Sequence, residues 1–194
     1  MSSQPSALTI ELPDWVAAFA QTYVPSPELA QRMAFVIAAA QRAVDAQSGG
    51  PFAAAVFEQD SGVLVALGVN LVTTQRLSLL HAEMVALALA QRRLDTYDLG
   101  AATLPRHELI TSTEPCAMCL GAIPWSGVTR VVTAARDEDA RSIGFDEGAK
   151  PMHWVQALER RGIAVVTDVQ RAAACAVLDA YAAGGGHIYG SREG

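Results

Sequence analysis

Two short stretches of this chain carry side chains able to do chemistry together. One reads Leu80-His81-Ala82-Glu83, the other Thr113-Glu114-Pro115-Cys116-Ala117-Met118-Cys119. Cysteines three positions apart at a helix start share a face, so both sulfurs can be aimed at one point. The positive end of the helix dipole there favours the thiolate that metals bind. His81 opens another helix, and if the two helix starts abut, one nitrogen and two sulfurs converge on a single ion. That donor set suits zinc. Three protein ligands leave a fourth tetrahedral position open to water, as a catalytic rather than a structural site requires. Water placed there is acidic enough to act as hydroxide near neutral pH. Glu83, two residues from the His81 ligand, can take its proton and pass it to a substrate and then to a leaving group. The expectation is one Zn2+ per chain on His81, Cys116 and Cys119, with Glu83 as the catalytic acid–base group. A closed structural zinc site would need a fourth ligand. The remaining thiol, Cys175, sits in an alanine-rich amphipathic segment where cysteine behaves as a small apolar residue.

Those residues need a scaffold that brings two helix starts together. Ser26 can cap a helix, with Pro27 in its first turn, and Leu29, Met33, Val36, Ile37, Ala40 and Val44 give it one apolar stripe. A hairpin follows, Phe52 to Glu58 and Val63 to Asn70, turning at Asp60-Ser61-Gly62. Residues 71–80 read as a loop, 82–94 as a helix, 108–113 as a strand, 116–123 as a helix and 128–135 as a strand. Residues 136–150 read as a loop with a helical turn, 152–161 as a helix, 162–169 as a strand and 172–182 as a last helix. About five strands interleaved with helices predict an α/β fold, a three-layer α/β/α sandwich around a central five-stranded mixed sheet. The organisation expected is an N-terminal extension over residues 1–25 (with a short helix near Trp15 to Gln21), one domain over 26–183, and a C-terminal tail over 184–194 released by Gly184-Gly185-Gly186.

The His-x-Glu and Pro-Cys-x-x-Cys halves together are the signature of zinc deaminases of nucleobases. With both halves at helix starts, the sequence resembles the cytidine and deoxycytidylate deaminase superfamily from about residue 28 to about 150, and the order of elements fits that fold beyond. Asn70, at the end of the hairpin, could present donor and acceptor groups to a base edge or could serve only its own turn. Ile143-Gly144-Phe145-Asp146-Glu147-Gly148 resembles a segment of bacterial guanine deaminases in which an aromatic packs near the purine and an acid contacts it. The strand start Pro51-Phe52-Ala53 and the turn Trp125-Ser126-Gly127 resemble the same branch. The resemblance implies Asn70, Phe52, Phe145 and Glu147 as substrate-binding residues, with Glu147 also catalytic. It implies hydrolysis of guanine at C2 to xanthine and ammonia. It also implies a homodimer, with the tail around Ile188-Tyr189 covering the partner's site. The 2-amino and N1–H donors of guanine suit a carboxylate such as Glu147; Asp146 either joins it or is a solvated loop acid. An aminotriazine such as ammeline offers a similar edge, which some enzymes of this branch would accept. The competing readings are a tRNA adenosine deaminase, which shares the Glu-Pro-Cys-x-Met-Cys stretch, and a non-catalytic zinc-binding module, which would not need Glu83.

Composition narrows the choice. Among 194 residues, 14 are basic and 20 acidic, for a formal net charge of -6. Binding a nucleic acid draws its affinity from neutralised phosphates, so this balance favours a small neutral substrate over a polyanion. No apolar run approaches the roughly 18 residues of a spanning helix, and the first 20 residues do not read as a signal peptide. Three cysteines, two of them as Cys-x-x-Cys, point to a reducing cytoplasm rather than a disulfide framework.

Overall fold

The computed structural model describes residues 4–190. Its elements in chain order are α1 (Trp15–Gln21), α2 (Leu29–Asp45), β1 (Ala53–Glu58), β2 (Leu64–Val69), α3 (Val72–Gln75), α4 (Ala82–Arg93), β3 (His107–Thr113), α5 (Ala117–Ser126), β4 (Arg130–Ala135), α6 (Asp137–Ser142), α7 (Trp154–Glu159), β5 (Ala164–Val166) and α8 (Arg171–Ala183). The five strands form one sheet in the order β2-β1-β3-β4-β5. β1 runs antiparallel to both neighbours, while β3, β4 and β5 are mutually parallel. β2, β3 and β4 therefore all finish at one end of the sheet, where β1 begins.

Alternation along the strands makes the three layers. Ala55 and Phe57 of β1, Ile110 of β3 and Val132 of β4 face a core shared with Val36, Ala40, Val177 and Leu178 of α2 and α8. Their neighbours Ala54, Val56, Leu109 and Val131 face the opposite core, with Ala86 and Ala90 of α4, Ile123 of α5 and Leu158 of α7. Successive side chains of a strand point to opposite faces, so each strand serves both cores. The fully buried run Ala53-Ala54-Ala55 in β1 lets helices approach both sides closely.

Several local expectations change. Ser26 is not the helix cap: Glu28 holds the extended N-cap position of α2, and the Ser26 hydroxyl accepts the Glu28 N–H at 3.1 Å. The residue before a proline is biased to extended backbone, which leaves Ser26 outside the helix. Residues 71–80 contain the one-turn α3. The last strand is only three residues long; Asp168 adopts φ 63° and interrupts it, though the Val169 N–H still reaches the Thr133 carbonyl of β4 at 3.0 Å. The N-terminal segment is packed rather than loose. Val16 is buried, Trp15 and Phe19 lie against the α2 core, and Trp15 Nε1 donates to Ser48 Oγ at 3.2 Å. Residues 1–3 and 191–194, the outer ends of the expected extension and tail, lie outside the described residues.

At the end of the sheet where β3 and β4 start, Glu108 is fully buried between two guanidiniums. Arg32 of α2 donates to its Oε1, and Arg130 of β4 reaches its Oε2 at 2.6 Å. Arg32 also donates to the carbonyls of Pro27 and Gln59. This cluster ties α2 to the two central parallel strands.

Candidate active site

The opposite end of the sheet is built differently. β3 stops at Thr113, Pro115 follows, and Cys116 becomes the N-cap of α5 in extended backbone; His81 is the N-cap of α4 in the same way. Both helix starts abut. His81 Nδ1 lies 3.5 Å from Cys116 Sγ, and the ligand atoms of His81, Cys116 and Cys119 all lie within 4.8 Å of one another. Tetrahedral zinc with bonds of about 2.1 Å to nitrogen and about 2.3 Å to sulfur needs donor separations of roughly this size. One borderline nitrogen and two soft sulfurs, half-buried to buried, fit such an ion.

The electrostatics agree with a metal-binding set. Hydrogen bonding from Cys119 and His81 brings the Cys116 thiol down to about 4 against its burial. The same hydrogen bond and burial push Cys119 well above the usual thiol range, so without metal the pair keeps one proton between two sulfurs. Burial pulls His81 down, but its bond to Cys116 and the charge of Glu83 lift it overall.

A cavity of about 410 Å³ opens over these groups, with His81, Glu83, Cys116, Glu147, Asn70 and Phe145 among its walls. Glu83, on the first turn of α4, is buried, and that burial together with the nearby Cys116 charge raises its carboxyl to about 7. Asn70 lies just past β2 and is 1% exposed. Its Oδ1 accepts the Val72 N–H at 3.2 Å, which fixes the turn and starts α3. The side chain therefore caps its own turn, the second of the two readings, and also lines the cavity.

Glu147 arrives from the other side. After α6, Gly144 and Gly148 adopt positive φ and frame the Phe145-Asp146-Glu147 segment. A Cβ on Gly148 would meet the Ala117 methyl at 3.0 Å, so the loop can lie directly on α5. The Glu147 carbonyl accepts the first N–H of that helix, from Ala117, at 2.9 Å. This bond sets Glu147 beside Cys116. Its side chain is buried, and burial plus the charges of Cys116 and Glu83 raise its carboxyl to about 8. Among the described residues no ion pair reaches Glu83 or Glu147. Phe145 packs edge-on against Phe52 at 4.8 Å and against Tyr189 at 5.2 Å.

Tyr189 comes from the tail. The chain turns back after α8, with the Tyr181 hydroxyl donating to the His187 carbonyl at 2.7 Å, and lays Tyr189 into the wall of its own chain's cavity. Tyr189 and Gly190 thus line the cavity of their own chain.

Residues 27–135 match the model for the cytidine and deoxycytidylate deaminase zinc-binding region. The chain belongs to that family. A solved guanine deaminase from Nitrosomonas europaea is 48% identical, over 94% of this chain and all of that one, with a TM-score of 0.87. A structure solved in complex with 8-azaguanine is 50% identical, over 92% of this chain and 98% of that one, with a TM-score of 0.88. Among curated proteins, the guanine deaminase of Bacillus subtilis is 41% identical over 104 residues; that match spans 54% of this chain and 62% of the relative.

For a deaminase of this family the cavity holds what hydrolysis of an amine needs: a metal-type donor set and two buried carboxyls raised towards neutrality. The sequence picked out each of these groups but missed the cluster behind them. Lys150, Glu114, Asp137 and Arg141 join the Glu147 loop to the Cys116 turn. The one signal for it was that Lys150, two residues past Gly148, is the single lysine in the chain.

Proposed function

We propose that this chain is a zinc-dependent guanine deaminase that hydrolyses guanine to xanthine and ammonia. The observation that carries the reading is the placement of Glu147: a buried carboxyl on the wall of the cavity that Glu83 also lines, with no ion pair among the described residues. The match to guanine deaminase along nearly the whole chain supports it.

His81, Cys116 and Cys119 would hold the zinc. When bound, zinc supplies Lewis acidity and a water ionised near neutral pH. The chain's own groups do the rest. In the reaction the C2–N bond breaks, a C2–O bond forms, and protons of the water end on the purine ring and on ammonia. Glu83, with its pKa near 7, can take a proton and return it within one turnover, since a group titrating near the working pH both accepts and donates. Glu147 faces the N1–H and 2-amino donors of guanine, a pattern that adenine, with an acceptor at N1, does not offer. Its carboxyl, lifted to about 8, can also pass a proton to the departing amine. With Oδ1 of Asn70 used by Val72, its amide N–H groups are what remain for ring acceptors. Phe52 and Phe145 give the purine an apolar wall, with Tyr189 packed against Phe145 beside it.

A cavity of about 410 Å³ fits a free base. A tRNA stem would have to displace Tyr189 and meet a net charge of -6. Among the described residues no helix is long and apolar enough to cross a membrane. The unbridged Cys116 and Cys119 suit the reducing cytoplasm, and Trp125 of α5, 84% exposed, suits a homodimer in which a second copy covers it. The domain is proposed to run over residues 26–183, with the N-terminal segment and the tail packed on it. An activity screen over guanine, ammeline, adenine, cytosine and a tRNA anticodon stem tests the assignment. Ammonia release from guanine at the highest kcat/KM is the expected result; a preference for any of the others overturns it.

A further inference from the structure

The Glu147 loop is fastened by a cluster of which only Glu114 reaches the wall of the cavity. Lys150 closes the loop. Its side chain is 7% exposed, and its Nζ donates to Glu114 Oε2 at 2.7 Å and lies 3.5 Å from Asp137 Oδ1. The ammonium also sits over the Trp154 ring, 4.8 Å from its centroid. Glu114 is two residues before Cys116, and the same Oε2 accepts the Asp137 N–H at 3.3 Å. Asp137 in turn pairs with Arg141 at 2.5 Å, and Arg141 Nη2 donates to the Gly148 carbonyl at 2.8 Å. Starting at Lys150, the chain of contacts runs through the metal turn and α6 and returns to the residue next to Glu147.

Exposed ion pairs contribute little, but this one is largely removed from water, and breaking one side of such a pair leaves an uncompensated charge. A compact ammonium also fits where it is placed: it meets two carboxylates and an indole face at once, which a planar guanidinium fork does not do from the same stem. Between Gly144 and Gly148, both at positive φ, the loop has few constraints of its own. Phe145 holds its start, donating to the Ala140 carbonyl at 3.2 Å and packing on Phe52 and Tyr189; the Ala117–Glu147 backbone bond, the Gly148 N–H on Asp146 Oδ1 and this cluster hold its far end.

We infer that Lys150 is a positioning residue for deamination: by clamping the end of the loop to Glu114 and Asp137, it holds the Glu147 carboxyl at its working place over the metal-binding turn. The inference rests on the role assigned to Glu147 above. Lys150 itself touches no reacting atom.

A double-mutant cycle tests it, read in guanine turnover, zinc content and melting temperature. Glu147→Gln should lower kcat/KM by roughly tenfold to a hundredfold, because the amide keeps an acceptor oxygen but can no longer carry a proton. Lys150→Met should lower kcat by about tenfold or more, as small misplacements of a reacting group do. Zinc should stay near one per chain, and Lys150→Arg should recover part of the rate. In the Glu147→Gln background, Lys150→Met should change kcat by less than about twofold, because the two act through one carboxyl. Multiplying losses in the double variant would overturn the clamp while leaving Glu147 in its role. A Glu147→Gln single variant with parental activity would overturn both. If Lys150→Met fails to fold or to hold zinc, Lys150→Met/Glu114→Gln, which removes the charge on both sides, replaces it in the same cycle with the same outcomes.

Discussion

The two ends of this sheet bury carboxylates in opposite ways. At one end Glu108 is completely buried and doubly paired, with Arg32 on one oxygen and Arg130 on the other. At the other end Glu83 and Glu147 are each 7% exposed, and among the described residues neither has an ion pair. An ionised group removed from water is costly unless it is paired, so an unpaired acid titrates closer to neutrality. The fold can neutralise a buried carboxylate, and does so where only structure is at stake. Withholding that neutralisation at two acids around one cavity keeps both able to exchange protons at working pH, as an acid–base site requires.

The contrast can be broken at either end. Glu83→Gln should give the largest loss of turnover, on the order of 10² to 10⁴. Zinc content should be unchanged and the melting temperature no lower, since the substitution removes an unpaired buried acid. Near-parental turnover would place the proton shuttle elsewhere. Glu108→Gln should do the reverse. It leaves the buried Arg32 guanidinium without its counter-charge and should cost about 3–5 kcal/mol of stability in denaturant titration. The folded fraction should turn guanine over at the parental rate. A kinetic defect without a stability defect would erase the distinction between the two ends.

Acid should sharpen the contrast. In the metal-free protein Cys119 is held protonated by its bond to Cys116, and His81 sits above its ordinary value. Zinc must displace both protons, so its apparent affinity rises with pH and falls as pH is lowered. The slope should be between about one and two decades per pH unit while those groups remain protonated. Chelator competition at several pH values measures it, and a flat profile would mean that the donors are already deprotonated.

How much of this could be read from the sequence depended on distance along the chain. His81 and Glu83 are neighbours, Cys116 and Cys119 are one turn apart, and each pair opens a helix. Local spacing carried the site, and the helical stripe from Leu29 to Val44 carried one side of the core. The Arg32–Glu108–Arg130 cluster joins residues 76 and 22 positions apart, and ion pairs at such separations leave no pattern. β5 is interrupted by a left-handed backbone at Asp168, a conformation that aspartate adopts at times but does not announce. The tail was recognised as needing somewhere to pack; that Tyr189 packs on Phe145 of its own chain is a tertiary fact. Lys150 was visible as the single lysine, but nothing nearby in sequence hinted at Glu114 as its partner.

That single lysine has a practical consequence. Amine acylation of most proteins yields a blurred average over many surface lysines. Here the side-chain chemistry of amines is confined to one nitrogen, 7% exposed and engaged by two carboxylates. Acylation requires that nitrogen to leave Glu114 and Asp137 and give up its proton. The rate of Lys150 modification, followed by mass spectrometry, therefore reports how tightly the cluster holds, readable without any label being engineered into the protein.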